Sequence, residues 1–110
     1  MTTEATREAE MALVGSVLKD PKQYQVIRDD IKPIDINDIG AKACWEAFQV
    51  LSELELSIDQ VTVGDELDRA GKLQDIAFGG FYGRVALSRI REEGKQGNAS
   101  SYASNVLDYS

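Results

Sequence analysis

The residue types best suited to catalysis are scarce in this sequence and form no catalytic pattern. The 110 residues include no histidine, which excludes His-based triads and His metal sites. The one cysteine, Cys44, shares a helical face with Phe48 and Leu51, so we interpret it as a small core residue. Glu92 and Glu93 are adjacent, and we expect them to be exposed instead of facing each other across a pocket. The sequence therefore predicts no catalytic residue and no metal ligand.

Glycine-rich segments could bind phosphate, but none of them carries the residues that this chemistry requires. A P-loop needs Gly-Lys followed by a hydroxyl residue, and both Gly71-Lys72-Leu73 and Gly94-Lys95-Gln96 lack that hydroxyl. Phe78-Gly79-Gly80-Phe81 has no lysine, no hydroxyl and no preceding strand. We interpret it as the turn that enters a helix. No cofactor site is predicted in this chain.

The charge balance disfavours direct binding of nucleic acid. Twelve basic residues stand against 19 acidic ones, a net charge of −7. A nucleic-acid binder normally presents a basic stripe that neutralises phosphates. The one basic cluster, Arg84, Arg89, Arg91 and Lys95, is interrupted by Glu92 and Glu93, so we interpret it as a solvated helix face.

The same composition bears on cellular location. No apolar run is long enough to span a membrane, and the opening MTTEATREAE lacks the apolar core of a signal peptide. A single cysteine cannot form a disulfide framework, which favours a reducing compartment. We therefore expect a cytoplasmic protein that does not contact a membrane.

Hydrophobic periodicity predicts an all-α fold, a compact orthogonal multi-helix domain built around a central helix at residues 41–56. The hydrophobic content of 43% is globular, and only two prolines interrupt the chain. At 100° per residue, one wide face of this helix carries Ala41, Cys44, Ala47, Phe48, Leu51 and Leu54, and Trp45 lies at its edge. A helix with so broad an apolar face is covered by neighbours on several sides.

The first helix is predicted to begin at Thr6, which can act as its N-cap. Met11, Val14 and Leu18 then mark its buried face, and we interpret the nearby Glu10 as a rim carboxylate that bonds an adjacent backbone end. Gly15 lies in mid-helix, where glycine costs about 1 kcal/mol relative to alanine. Close approach of a neighbouring helix would explain it.

The later helices have their own start and stop signals. Thr62, with Asp65 three residues later, resembles a capping box, and Gly71 is a helix stop. The next helix is predicted to use Phe81 and Tyr82, together with Val85, Ala86 and Ile90, and to stop at Gly94. Asn98 is predicted to cap a last helix. That helix has no terminator at Ser110, so we expect the natural chain to continue.

Several of these segments together resemble a known family, the N-terminal domain of bacterial DnaB-type replicative helicases. The resemblance covers roughly residues 8–109. It rests on an ordered set of motifs: Ala9 to Leu18, Asp20-Pro21, Trp45 to Phe48, Ile58 to Val63, Leu67, Gly71-Lys72-Leu73, Gly79 to Tyr82, and Asn98 with Tyr102-Ala103. The chain departs from the family pattern at residues 34–42, which lack an aromatic pair and a histidine, and at residues 92–97, which lack a proline.

The resemblance implies a non-catalytic domain that caps one end of a hexameric helicase ring. It implies a flexible leader at residues 1–7, a globular head at residues 8–97, and the start of a linking hairpin helix at residues 98–110. It also implies three partners: the C-terminal domain of primase, a helicase loader and other helicase subunits. ATP and Mg would bind only in a separate motor domain.

The candidate protein-interface residues are Tyr102, Val106 and Tyr109 on the last helix, with Arg84 and Arg91. The alternative for Tyr102, Val106 and Tyr109 is that they pack on the domain's own core. The alternative for the two arginines is that they serve only to keep the domain soluble. Structural roles are expected for Gly15, Cys44, Trp45, Phe48, Thr62, Gly71 and Tyr82. An acidic collar suits a primase with basic surface.

Two other functions fit the same sequence. A stand-alone module of a phage or mobile element could use this fold to engage primase or helicase, and a natural stop codon after Ser110 would favour it. A single-strand DNA binder predicts salt-dependent binding to oligonucleotides.

Overall fold

The computed structural model describes residues 4–94 and 99–109, and within them the chain is mainly helical. The six helices are α1 (Glu4–Lys19), α2 (Lys22–Ile27), α3 (Ile39–Glu53), α4 (Gln60–Arg69), α5 (Gly83–Glu93) and α6 (Ala99–Tyr109). Two single 3-10 turns, Pro33–Asp35 and Leu73–Asp75, and a two-stranded hairpin, β1 (Ala77–Phe78) and β2 (Phe81–Tyr82), complete the described part. The all-α prediction is confirmed.

Helix α3 is largely buried, as its apolar pattern predicts, and it supplies the two bulkiest fully buried side chains. The helix that packs most extensively against the others, however, is α1, which contacts α2, α3, α5 and α6. Cys44 and Phe48 are fully buried. Trp45, predicted at the edge of the apolar face, is buried as well, and its indole Nε1 donates a hydrogen bond to the Ile31 carbonyl at 3.0 Å. The Trp45 ring meets Tyr24 and Phe48 edge-on, at centroid distances of 5.5 and 5.4 Å, the arrangement that aromatic quadrupoles favour.

Helix α3 ends earlier than the predicted residue 56 because Glu55 adopts a left-handed conformation, with φ of 58°. The Glu55 N–H donates to the Ser52 carbonyl and the Leu56 N–H donates to the Leu51 carbonyl, which together form a Schellman ending. Glycine normally takes this position, because in the left-handed conformation a Cβ lies too close to the following carbonyl oxygen.

We expect Glu55→Gly to raise the free energy of unfolding by about 0.5–1 kcal/mol, because it removes that strain. The change is measured by chemical denaturation. Gly71→Ala is the reciprocal variant, since Gly71 ends α4 at φ 73° and nothing crowds its Cα. Gly71→Ala should lower the free energy of unfolding by a similar amount. Equal stability of the parent chain and both variants would show that the left-handed conformation costs no strain at these positions.

Helix α1 begins earlier than the sequence predicts. It starts at Glu4, so residues 4–7, assigned to the leader, are helical, and the predicted N-cap at Thr6 is wrong. Glu4 occupies the first turn, where its charge suits the positive end of the helix dipole. Thr6 is instead buried within the first turns of the helix. The rule that threonine caps helices was overridden by tertiary packing of α1.

Glu10 of α1 anchors the N-terminus of α3. Its two carboxylate oxygens accept the backbone N–H groups of Asn37 and Asp38, each at 2.7 Å. The expected bond to an adjacent backbone end is present, but Glu10 is 0% exposed and does not lie at a rim. Asp38 in turn caps α3 by accepting the N–H of Ala41 at 3.0 Å.

Gly15 allows α1 and α5 to cross at backbone contact. A Cβ on Gly15 would lie 2.5 Å from the Ile90 carbonyl oxygen and 3.0 Å from the Gly94 Cα. A Cβ on Gly94 would in turn collide with the Gly15 carbonyl. The close approach that we inferred from the mid-helix glycine is confirmed, and Gly94 ends α5 as predicted.

The N-cap of helix α4 is Asp59, so the predicted N-cap at Thr62 is wrong by one turn. The Asp59 carboxylate accepts the N–H groups of Val61 and Thr62, and the Thr62 hydroxyl accepts the Asp59 N–H at 3.0 Å. Thr62 is therefore the third-residue partner of a capping box whose cap is Asp59. The predicted stop at Gly71 is confirmed, because its N–H and that of Lys72 close the end of α4.

Candidate protein-interaction surface

A short hairpin between α4 and α5 presents aromatic side chains at the surface. Ala77 pairs with Tyr82 and Phe78 pairs with Phe81, around a Gly79-Gly80 turn. Both glycines have positive φ, 59° and 84°, the conformation of the tight primed turns that suit hairpins. The segment that we interpreted as a helix-entry turn is thus a β-hairpin, and Phe81 and Tyr82 belong to β2 and not to α5.

Three large apolar or aromatic side chains are exposed here. Phe81 is 40% exposed, Tyr82 65% and Val85 54%. Successive residues of a strand point to opposite faces, and in β2 both of these faces are open. The prediction that Phe81, Tyr82 and Val85 line the buried side of a helix is therefore wrong. The buried side of α5 consists of Ala86, Leu87 and Ile90.

Arginines surround these side chains. The Arg89 guanidinium carbon lies 4.7 Å above the centre of the Phe81 ring, a cation–π contact. Arg84 donates to the Asp65 carboxylate at 2.9 Å, and it crosses over Gly64, which has no Cβ to obstruct it. We call Phe81, Tyr82, Val85, Arg84 and Arg89 the aromatic–arginine surface. The Arg84–Asp65 ion pair is exposed to water, so it contributes little to stability.

The two predicted interface arginines differ in their surroundings. Arg84 is part of the aromatic–arginine surface. Arg91 lies two helical turns further along α5 and is exposed, on the side of α5 that also carries Arg84. Arg84 and Tyr82, to which we had assigned different roles, are both exposed and lie two residues apart at the start of α5.

The predicted interface stripe on α6 does not form an open surface. Val106 is 1% exposed and belongs to the hydrophobic core, and Tyr102 is partly buried against that core. The alternative, packing on the domain's own core, holds for both residues. The Tyr109 side chain and the predicted cap at Asn98 lie outside the described residues.

Sequence reasoning missed the hairpin although its signal is present. Gly-Gly between aromatic residues is a hairpin signal, because aromatic residues favour strands and both turn residues need positive φ. We gave more weight to the apolar spacing from Phe81 to Ile90. That spacing is also satisfied by a helix that begins two residues later, at Gly83.

Cys44 is the one cysteine of the chain, and it is buried. Burial raises the pKa of the Cys44 thiol to about 12, and the nearby Asp38 carboxylate adds to this effect, so the thiol stays protonated. Among the described residues no group of three or more His, Cys, Asp or Glu side chains could hold a metal ion. Within the same residues, no helix combines the length and the apolar content needed to cross a membrane.

The chain is similar to known proteins in both sequence and fold. The sequence model of the family described as "DnaB-like helicase N terminal domain" matches residues 2–108. Among solved structures, the chain resembles the crystal structure of the N-terminal domain of DnaB helicase from Mycobacterium tuberculosis, with a TM-score of 0.81 and 27% sequence identity. The match covers 91% of this chain and 67% of that one. A comparison with functionally curated proteins gave no significant match.

Proposed function

The chain belongs to the family of DnaB-like helicase N-terminal domains, and we propose that it serves ring assembly and the binding of primase or a loader. In this role it does no chemistry itself, and ATP and Mg bind to a separate motor domain. The aromatic–arginine surface is the contact that we propose for the partner protein. One observation carries this proposal: exposed aromatic side chains on a β-hairpin, bordered by arginines.

Such a surface suits recognition of a protein. Tyrosine, phenylalanine and arginine are enriched in protein interfaces, and tyrosine and arginine are frequent among the few residues that carry most of the binding free energy. The backbone of Phe81 and Tyr82 is fixed by pairing with Phe78 and Ala77, so little of its entropy remains to be lost in a complex. A partner that buries Phe81 and Tyr82 would also exclude water from the Arg84–Asp65 pair.

The first test is complex formation with the C-terminal domain of primase from the same organism. Size-exclusion chromatography with light scattering is expected to show a stable complex that weakens as salt is added, because exposed charges are screened. A labelled oligothymidine titrated at low salt should show no binding, since the chain carries a net charge of −7.

Tyr82→Ala is expected to weaken that complex by about tenfold or more, because an aromatic anchor is lost. The variant should unfold at the same denaturant concentration as the parent chain, since Tyr82 is 65% exposed. Ile34→Ala, at a side chain that is 85% exposed and outside the surface, is the matched control. Equal affinities of all three proteins would place the partner contact elsewhere.

A further inference from the structure

A second surface feature, separate from the aromatic–arginine surface, is a groove bordered by α1, the β1–β2 turn and α5. We call it the α1–α5 groove, and its volume is about 450 Å³. Its apolar lining includes Met11, Phe78 and Ile90, of which Met11 and Ile90 are otherwise nearly buried. The groove is large enough to receive one or two apolar side chains of a bound segment.

The rim of this groove is acidic. Glu4 and Glu8 lie one helical turn apart on α1, and Glu93 lies across the groove on α5; all three are exposed. The lining also contains Arg7, but its guanidinium is already engaged. It pairs with the Asp38 carboxylate at 3.1 Å and donates to the Ala77 carbonyl at 2.6 Å. The three rim carboxylates therefore make the electrostatic potential at the mouth of the groove negative.

We propose that the α1–α5 groove docks a basic amphipathic segment of a partner protein. Apolar side chains of this segment contact Met11, Phe78 and Ile90, and its lysines or arginines reach Glu4, Glu8 and Glu93. Complementary charge at the rim speeds association and aligns the segment, and the apolar contacts hold it. This proposal is independent of primase or loader binding at the aromatic–arginine surface, where Arg84 and Arg89 are paired with Asp65 and Glu92.

Two other occupants fit the groove less well. Nucleic acid would bring its phosphates against three carboxylates, which repel them. A second copy of this chain carries a net charge of −7, and its exposed Arg84 and Arg89 lie near acidic partners, Asp65 and Glu92. A basic segment with regularly spaced apolar residues satisfies both the lining and the rim.

The test uses a short fluorescent helical peptide made only of leucine and lysine, titrated against the whole chain by anisotropy. The double variant Glu8→Lys/Glu93→Lys is expected to weaken binding at least about tenfold, because it reverses two rim charges. Asp30→Lys/Asp68→Lys makes the same change in net charge at two exposed sites outside the groove and should change the affinity less than about twofold.

Ala12→Gln narrows the groove without a change in charge, since Ala12 is part of its lining. We expect it to weaken binding several-fold, while circular dichroism shows an unchanged helix content. Equal losses in both double variants would overturn the proposal, because they would indicate non-specific attraction to an acidic chain. Absence of peptide binding would overturn it too, as would equal affinity for a peptide with glutamate in place of lysine. Self-association that the Glu8/Glu93 variant abolishes would make a second copy the occupant and also overturn it.

Discussion

Gly15→Ala is expected to lower the free energy of unfolding by about 2–3 kcal/mol. The new Cβ would lie 2.5 Å from the Ile90 carbonyl oxygen, and backbone atoms cannot rotate away as a side chain can. To relieve the contact, α1 and α5 must separate, which loosens the packing of Ile90 against the core. The loss exceeds the gain of about 1 kcal/mol in helix propensity that alanine brings.

Gly64→Ala is the matched control for this prediction, since Gly64 also lies within a helix. Its Cβ would meet only the Arg84 guanidinium, the flexible end of a half-exposed side chain, which can shift. We expect Gly64→Ala to be neutral or slightly stabilising. Urea unfolding followed by circular dichroism measures both variants. A Gly15→Ala protein as stable as the parent would show that the helices do not cross at backbone contact.

Glu10→Gln is expected to lower the free energy of unfolding by about 2–3 kcal/mol, although the two side chains have nearly the same shape. The Glu10 carboxylate presents one oxygen to the N–H of Asn37 and the other to the N–H of Asp38. Glutamine offers a single oxygen, and its NH₂ group would face an N–H donor. One backbone donor beside a fully buried side chain is then left without its acceptor, and the charge-assisted character of the other bond is lost.

Glu8→Gln on the same helix makes the same chemical change at an exposed position and should alter stability by less than about 0.5 kcal/mol. Denaturation midpoints of the two variants are compared at one pH and ionic strength. Equal midpoints would mean that Glu10 contributes no more than a surface carboxylate. Hydrogen exchange at Asn37 and Asp38 gives a local readout, and it should accelerate in Glu10→Gln alone.

Helix α3 could be predicted because its apolar periodicity is a local feature of the sequence. Apolar residues at helical spacing place Cys44 and Phe48 on a buried face, and the structure confirms both positions. The glycine at position 15 was informative for a similar reason, since a mid-helix glycine has a cost that packing must offset. Patterns within a single helix thus sufficed for the fold class.

Other features depend on competition between neighbouring signals or on distant contacts. Asp59 and Thr62 are both good caps, and only the folded backbone decides that Asp59 takes the cap and Thr62 supports it. The partners of Glu10 lie 27 and 28 residues away, so no local pattern identifies them. Val106 has the same helical spacing whether it faces a partner or the core, and its burial is decided by how α6 packs on α1 and α2.

The two surfaces proposed for partners differ in their side chains. The aromatic–arginine surface exposes Phe81 and Tyr82 beside ion-paired arginines, whereas the α1–α5 groove is bordered by Glu8 and Glu93. The hairpin borders both, because Phe78 lines the groove while Phe81 and Tyr82 point to solvent.

The most direct test of the partner contact is chemical-shift mapping of the ¹⁵N-labelled chain with the unlabelled C-terminal domain of primase. We predict that the largest changes fall on residues 79–89, with smaller ones at Asp65, the ion-pair partner of Arg84. Changes confined to α2, α3 or the groove residues of α1 would contradict the assignment of the aromatic–arginine surface. If neither primase nor a loader alters any signal, the proposed partner-binding role of this domain is itself contradicted.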